Sequence, residues 1–204
     1  MSDEKVLTKE DAELYLEAVL EGGLEFGSEV VDLTEVTAIE DAAAESLGKG
    51  KGGLDLDGLT ELSGAAAESL SKHEGYLEFQ GLTSLSDAAA ESLSKHEGQL
   101  TLGMDKTLRK ALGKGRGLTE LSDAAAESLS KHEGALNLYG LTELSDAGAE
   151  SLRKHKGPLN LGGLTKLSAA AAESLSKYKG KLYHNVKDMR TPAAKILRDA
   201  GHGE

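Results

Sequence analysis

The chain repeats itself every 23 residues, and that period limits the folds open to it more than any other feature. Residues 77–99 read LEFQGLTSLSDAAAESLSKHEGQ, and 23 residues earlier the chain reads LDLDGLTELSGAAAESLSKHEGY. A further step back gives VDLTEVTAIEDAAAESLGKGKGG at 31–53. Downstream the units are LNLYGLTELSDAGAESLRKHKGP at 136–158 and LNLGGLTKLSAAAAESLSKYKGK at 159–181. Self-similarity at this spacing means small supersecondary units that bury their apolar faces on one another. Residues 182–204 keep the length and lose most of the pattern, as a terminal cap must, because its outer side meets water.

Each unit has a physical reading. Leu77-Glu78-Phe79 alternates apolar and polar, the period of a half-buried strand. Leu82 and Leu85 follow in a short connection, and Ser86 or Asp87 caps a helix with an acid in its first turn. Ala89, Ala90 and Leu93 share one face of that three-turn helix. Glu91 and Lys95 stand four apart with the acid first, and the pair recurs as Glu45–Lys49, Glu68–Lys72, Glu127–Lys131, Glu150–Lys154 and Glu173–Lys177. Gly98 is expected to end the helix in a left-handed conformation. At the N-terminus Thr8 and Asp11 have capping-box spacing for a helix over 8–20, followed by a strand-like GGLEFG at 22–27. At the other end Thr191 and Pro192 predict the start of a closing helix.

In the unit 136–158, LNLYGLTELSDAGAESL resembles the leucine-rich repeat family in its bacterial-type form of about 23-residue units. Leu136 and Leu138 match its strand core, and Ser145-Asp146-Ala147-Gly148 its helix start. The likeness covers nearly all of 31–181. It implies an α/β fold: one right-handed βα solenoid domain spanning 1–204, with a helical N-cap over 1–30 and a C-cap over 182–204. Three repeats would fill 31–99, an irregular double repeat 100–135, and two repeats 136–181. On that scheme the irregular stretch is ten residues short of two units, and GKG at 113–115 stands in for a strand.

Composition narrows the function. The absence of cysteine excludes disulfides, thiolate metal sites and cysteine nucleophiles. The acidic N-terminus lacks a basic-then-apolar leader, and no apolar run reaches the roughly 20 residues that span a bilayer, so a cytoplasmic setting away from membranes is expected. Residues 1–100 carry 6 basic and 23 acidic side chains, whereas 101–204 carry 17 and 12. Such asymmetry bears on partners rather than on fold. Aromatic residues are too few to stack single-stranded nucleic acid.

His73, His96, His132 and His155 occupy one register, expected at the last turn of each helix, where they pack and offset the dipole. Tyr178 takes that register in the last full unit. Helix axes about 8–10 Å apart are too distant for neighbouring histidines to share a zinc ion with bonds of ~2.0 Å. No metal, cofactor or catalytic constellation is therefore assigned. The basic break at 100–117 carries Lys106, Arg109, Lys110, Lys114 and Arg116. Its GKGRG lacks the strand-then-helix setting of a P-loop, so it stands open between a solvated connector and an anion site.

A site is local where a repeat is general, so the uneven positions carry the functional expectation. The middle strand position reads Asp55, Glu78, Thr101, Lys114, Asn137, Asn160 and Tyr183. The position after the strand reads Asp57, Gln80, Gly103, Arg116, Tyr139 and Gly162. In a leucine-rich repeat these would line the concave sheet. Asp55, Glu78, Gln80, Asn137, Tyr139, Asn160 and Tyr183 are the partner-binding candidates of a non-enzymatic, monomeric scaffold for a protein or peptide. Binding of an anionic ligand by the basic C-terminal half and head-to-tail self-association are the alternatives.

Overall fold

The computed structural model describes residues 5–21, 30–103, 117–185 and 192–202. β1 (Val6–Leu7) and α1 (Lys9–Glu21) come first, then β2 (Val30–Asp32), β3 (Ala38–Ile39) and α2 (Asp41–Leu47). Strand and helix then alternate: β4 (Lys51–Asp55) and α3 (Gly64–Leu70), β5 (Glu74–Glu78) and α4 (Asp87–Leu93), β6 (Leu100–Thr101) and α5 (Asp123–Leu129). The series closes with β7 (Leu136–Asn137) and α6 (Asp146–Leu152), β8 (Leu159–Asn160) and α7 (Ala169–Leu175), β9 (Leu182–Tyr183) and α8 (Ala193–Asp199). Seven strands form one parallel sheet in the order β2-β4-β5-β6-β7-β8-β9, and β1 pairs with β3 beside it. The helices pack each on the next in chain order. The chain is thus a mixed α/β array of repeated parallel βα units. Among the described residues no helix is long and apolar enough to cross a membrane.

The sheet register reproduces the sequence period. Leu54, Leu77, Leu100, Leu136, Leu159 and Leu182 pair in one row across six strands. Strand alternation turns this row toward the helices, where Leu77, Phe79, Leu82, Ala89, Ala90 and Leu93 of one unit are completely buried. Burying one leucine contributes about 1.5–3 kcal/mol, so the leucine rows are the main source of cohesion. Alanines in the helix face bring neighbouring helices close, and their small size leaves room for the next layer.

The units are also joined at the helix starts. The caps are the serines, not the following aspartates: Ser63, Ser86, Ser122, Ser145 and Ser168 each accept the N–H three residues on. Four of these hydroxyls also donate sideways to the first-turn aspartate of the preceding helix, Ser63 to Asp41, Ser122 to Asp87, Ser145 to Asp123 and Ser168 to Asp146. One rung differs, because α3 begins with Gly64 where Ser86 would meet an aspartate.

Three expectations change. The helices span 7 residues rather than three turns and close with a tighter turn, Lys72 N–H to Ser69 O and His73 N–H to Leu70 O. Gly98 is not left-handed; of the described glycines only Gly52, Gly75 and Gly201 have positive φ. Its demand is close approach, since a Cβ there would lie 1.6 Å from the Gly75 carbonyl oxygen. Finally, β6 pairs directly with β7, Leu100 with Leu136 and Thr101 with Asn137. The stretch 100–135 is therefore one unit carrying thirteen extra residues, 104–116, and not two shortened ones. Gly117-Leu118-Thr119 resumes the pattern, with Thr142 N–H bonded to Thr119 O as Thr83 N–H is to Thr60 O. Lys114, expected in the strand row, lies outside the described residues. The capping box holds, with Thr8 and Asp11 exchanging side-chain to backbone bonds of 3.3 Å. Residues 22–27 and Thr191 lie outside the described residues, while Pro192 already has helical φ and ψ at the start of α8.

Gly64→Asp should supply the missing rung to Ser86. A Cβ at residue 64 meets only the Ala88 methyl at 3.6 Å, so space is no obstacle. One exposed hydrogen bond and the lost flexibility of a glycine together contribute about 1 kcal/mol. Thermal unfolding should shift upward by roughly 2–4 °C, and the same substitution should gain less in a Ser86→Ala background, where the new carboxylate has no hydroxyl to accept from.

Candidate functional site

The candidate site is the sheet face turned away from the helices, where the row Asp32, Asp55, Glu78, Thr101, Asn137, Asn160 and Tyr183 crosses all seven strands. Four members shape the chain at the strand end. Asp32, Asp55, Asn137 and Asn160 each accept, through Oδ1, the N–H two residues on, at 2.9–3.1 Å. Such Asx turns explain why short acid or amide side chains recur there. Asp55, Asn137 and Asn160 are therefore half-buried turn formers as well as surface candidates.

The remaining candidates are placed differently. Glu78 is half-buried and accepts from the Gln80 amide at 3.4 Å. The Tyr139 ring lies over Gly162, where an added Cβ would come within 2.6 Å of Cε2. Tyr183, 45% exposed, carries the Lys181 ammonium 4.6 Å from its ring centroid. Tyr76 belongs to the same face: its ring covers Gly53, its cross-strand partner. The sequence marks Tyr76 by its spacing two residues before Glu78, a period-2 relation that places both on one face.

The N-terminal half of the face is acidic. Asp57 is 5% exposed and accepts the Gln80 N–H of the next unit at 2.9 Å. One oxygen from each of Asp55, Asp57 and Glu78 lies within 4.8 Å of the others. That spacing suits a shared hard cation, whose oxygen ligands stand at about 2.3–2.6 Å, or a lysine or arginine head group. Glu78 is pushed up from the usual carboxylate range, first by burial and then by the Asp55 charge. Tyr76 is raised by burial and by the charges of Glu78 and Asp55. The trio was not assigned from sequence. Its signal is the Asp-x-Asp of 55–57 with an acid one period later, which matters only once β4 and β5 are known to pair.

The proposed anion set, Lys106, Arg109, Lys110, Lys114 and Arg116, lies outside the described residues. The chain leaves the sheet for that segment after Gly103 and returns at Gly117. The C-terminal cations are engaged in part: Arg153 makes a two-pronged contact with Glu150, at 2.5 and 2.7 Å, and Lys156 and Lys166 reach Glu133 and Glu143 in preceding units. Glu150 thus meets Arg153, not Lys154, and is held down to about 2 chiefly by that bond. Glu45–Lys49 and Glu127–Lys131 form as expected, at 3.0 and 3.8 Å on exposed ground, where such pairs contribute little.

The histidines are not surface features. His73, His96, His132 and His155 follow their helices, turn inward and are at most 4% exposed. A packing role holds and a dipole-offsetting charge does not, because burial pushes His96, His132 and His155 below the ordinary range, His132 to about 4.

A raised carboxyl weakens the fold once it ionises, because the unfolded chain releases the proton at lower pH. Glu78→Gln should therefore raise the melting temperature at neutral pH, by a few degrees at most. The gain should fade as pH falls below the usual glutamate range, as paired melts across pH would show. Asp55→Asn, which keeps Oδ1 for the turn, should move the Glu78 carboxyl titration downward by NMR. Neither a protein-family model nor a curated protein matches the chain.

Proposed function

We propose that the chain is a right-handed βα solenoid of the leucine-rich-repeat kind, a non-enzymatic scaffold that takes a protein or peptide on its concave sheet face. One observation carries this reading: a constant inward row lies back to back with a varied outward row on the same strands. The inward row is leucine in every strand from β4 to β9, and the helices repeat AAAESL almost unchanged. The outward row changes chemistry at nearly every step, from carboxylates through hydroxyl and amides to Tyr183. A constant frame with a varied strip is the arrangement an extended partner needs, one strand's side chain meeting each segment of it. The acidic trio and Tyr76 favour a segment with lysine or arginine at that end. Cysteine-free composition suits a reducing compartment, in keeping with a cytoplasmic role.

Peptides selected from a displayed library against the intact chain should lose about tenfold or more in affinity against a Glu78→Gln/Tyr183→Ala variant that still unfolds in one cooperative transition. Those two positions are preferable to Asn137 and Asn160, whose side chains hold turns. Equal affinity for the variant would remove the concave face as the site. Anion binding or head-to-tail association, by contrast, should collapse from low to moderate salt, because exposed charges are screened beyond a Debye length of about 8–10 Å. A monomeric mass across a dilution series would exclude self-association.

A further inference from the structure

The buried histidines form a column with a property that no packing role requires. His96 and His132 stack with ring centroids 6.2 Å apart and planes inclined by 6°, and His132 and His155 at 6.0 Å and 2°. Each ring comes from a different unit, so the column runs along the seam between units. His96 and His132 are 1% exposed and His155 3%, yet both nitrogens of all three have no hydrogen-bond partner of good geometry. Backbone carbonyls come near enough to favour charge on these rings, but burial outweighs them.

The two ends of the column show what satisfaction looks like. His73 places Nδ1 2.9 Å from the Leu47 carbonyl and Nε2 3.0 Å from that of Gly52. Both of its ring nitrogens thus have a carbonyl at hydrogen-bond distance, so His73 stands apart from the other three. Tyr178 fills the position after His155 and donates its hydroxyl to the Gly157 carbonyl. Metal binding does not account for the unpartnered nitrogens: parallel rings 6 Å apart hold like atoms too far from each other to ligate one ion with bonds of ~2.0 Å.

We propose that His96, His132 and His155 form an acid-operated release in the seam between units. Neutral rings pack as a dry stack and hold the units in register; protonated rings repel along the column and part them. The charged groups around the column do not defuse this. Lys95 and Glu97 flank His96, Lys131 and Glu133 flank His132, and Lys154 and Lys156 flank His155, all solvent-exposed. Glu68, Lys72 and Glu74 on one side, and Glu91 and Glu127 on the helices, are exposed as well. Water therefore screens them, and Glu97 is the one carboxylate that favours charge on a column ring, and only as the weakest influence on His96. On the strand side the column meets the glycine backbone. A Cβ at Gly98 or Gly134 would lie 2.7 or 2.9 Å from Nε2 of His96 or His132, so no other side chain can enter.

The sign follows from proton binding. The unfolded chain takes up protons near the ordinary histidine value of 6.5, whereas the folded column resists them, His132 down to about 4. Stability is complete above the ordinary value and is lost as pH falls toward the folded one. Carboxylates held low by cations, Glu45 by Lys49 and Glu150 by Arg153, lose their contribution only below their ordinary value of 4.5. The two effects therefore occupy separate windows.

Two measurements on the intact chain test the proposal. In NMR titrations of the imidazole carbons, the three rings should stay neutral below pH 6.5 until the array opens in one cooperative step. Titration near 6.5 with the fold retained would overturn it. In unfolding experiments from pH 7 to 4, the unfolding constant should rise on the order of a hundredfold for His132 alone. A His96→Tyr/His132→Tyr/His155→Tyr variant, copying Tyr178, should lose far less stability between pH 7 and about 4.5, the remaining loss coming from His184, which burial also holds below the ordinary value. Equal acid loss in that variant would overturn the proposal, and the ring titration decides the matter if the variant does not fold.

Discussion

Each unit depends on its neighbours for what it cannot supply alone. A two-residue strand such as β7 has no partner within its own unit, so its backbone bonds go sideways, Leu136 N–H to Pro158 O and Leu138 N–H to Asn160 O. A seven-residue helix is too short to hold itself in water, and it persists because its alanine face lies between two others. Lateral contact is therefore the condition for local structure here, and the repeat is identical where that contact is made. Leucine rows, serine caps and the glycine approach at 98, 134 and 157 all face another unit. The outward strand row is less bound by that constraint, and its chemistry changes from unit to unit.

The same dependence explains the thirteen-residue insertion. It enters after Gly103 and leaves before Gly117, between the strand and the helix of one unit. Strand β6 keeps its bonds to β7, and Leu118 and Thr119 recover the connecting turn.

What the sequence reveals follows from this geometry. Period, strand phase and helix start are properties of a single unit and could be read directly from Leu77-Glu78-Phe79 and Ser86. Properties of the pairing between units could not. A 36-residue stretch fits one unit with an insertion or two with a deletion, and only the contact of Leu100 with Leu136 decides between them. Gly98 looks like a helix stop, because the carbonyl it must clear belongs to Gly75, 23 residues away. Asp55, Asp57 and Glu78 look like scattered acids until β4 lies beside β5. The histidine register was plain, yet whether those rings face water or the seam depends on the two-turn length of the helices.

Two polar rows thus cross the same seams with opposite chemistry. In the serine–aspartate row the hydroxyls of Ser63, Ser122, Ser145 and Ser168 each accept an amide and donate to a carboxylate, so these members are satisfied in pairs. In the histidine row three consecutive rings stack without good partners, so their stability rests on remaining uncharged. The second row begins to cost stability below the ordinary histidine value, because the unfolded chain binds protons there that the folded column resists. An array held by both rows must therefore come under strain first on the histidine side as pH falls, with the helix starts still tied. Three consecutive units carry both rows, Asp87 with His96, Asp123 with His132 and Asp146 with His155, so that asymmetry runs along the stack rather than being confined to one residue.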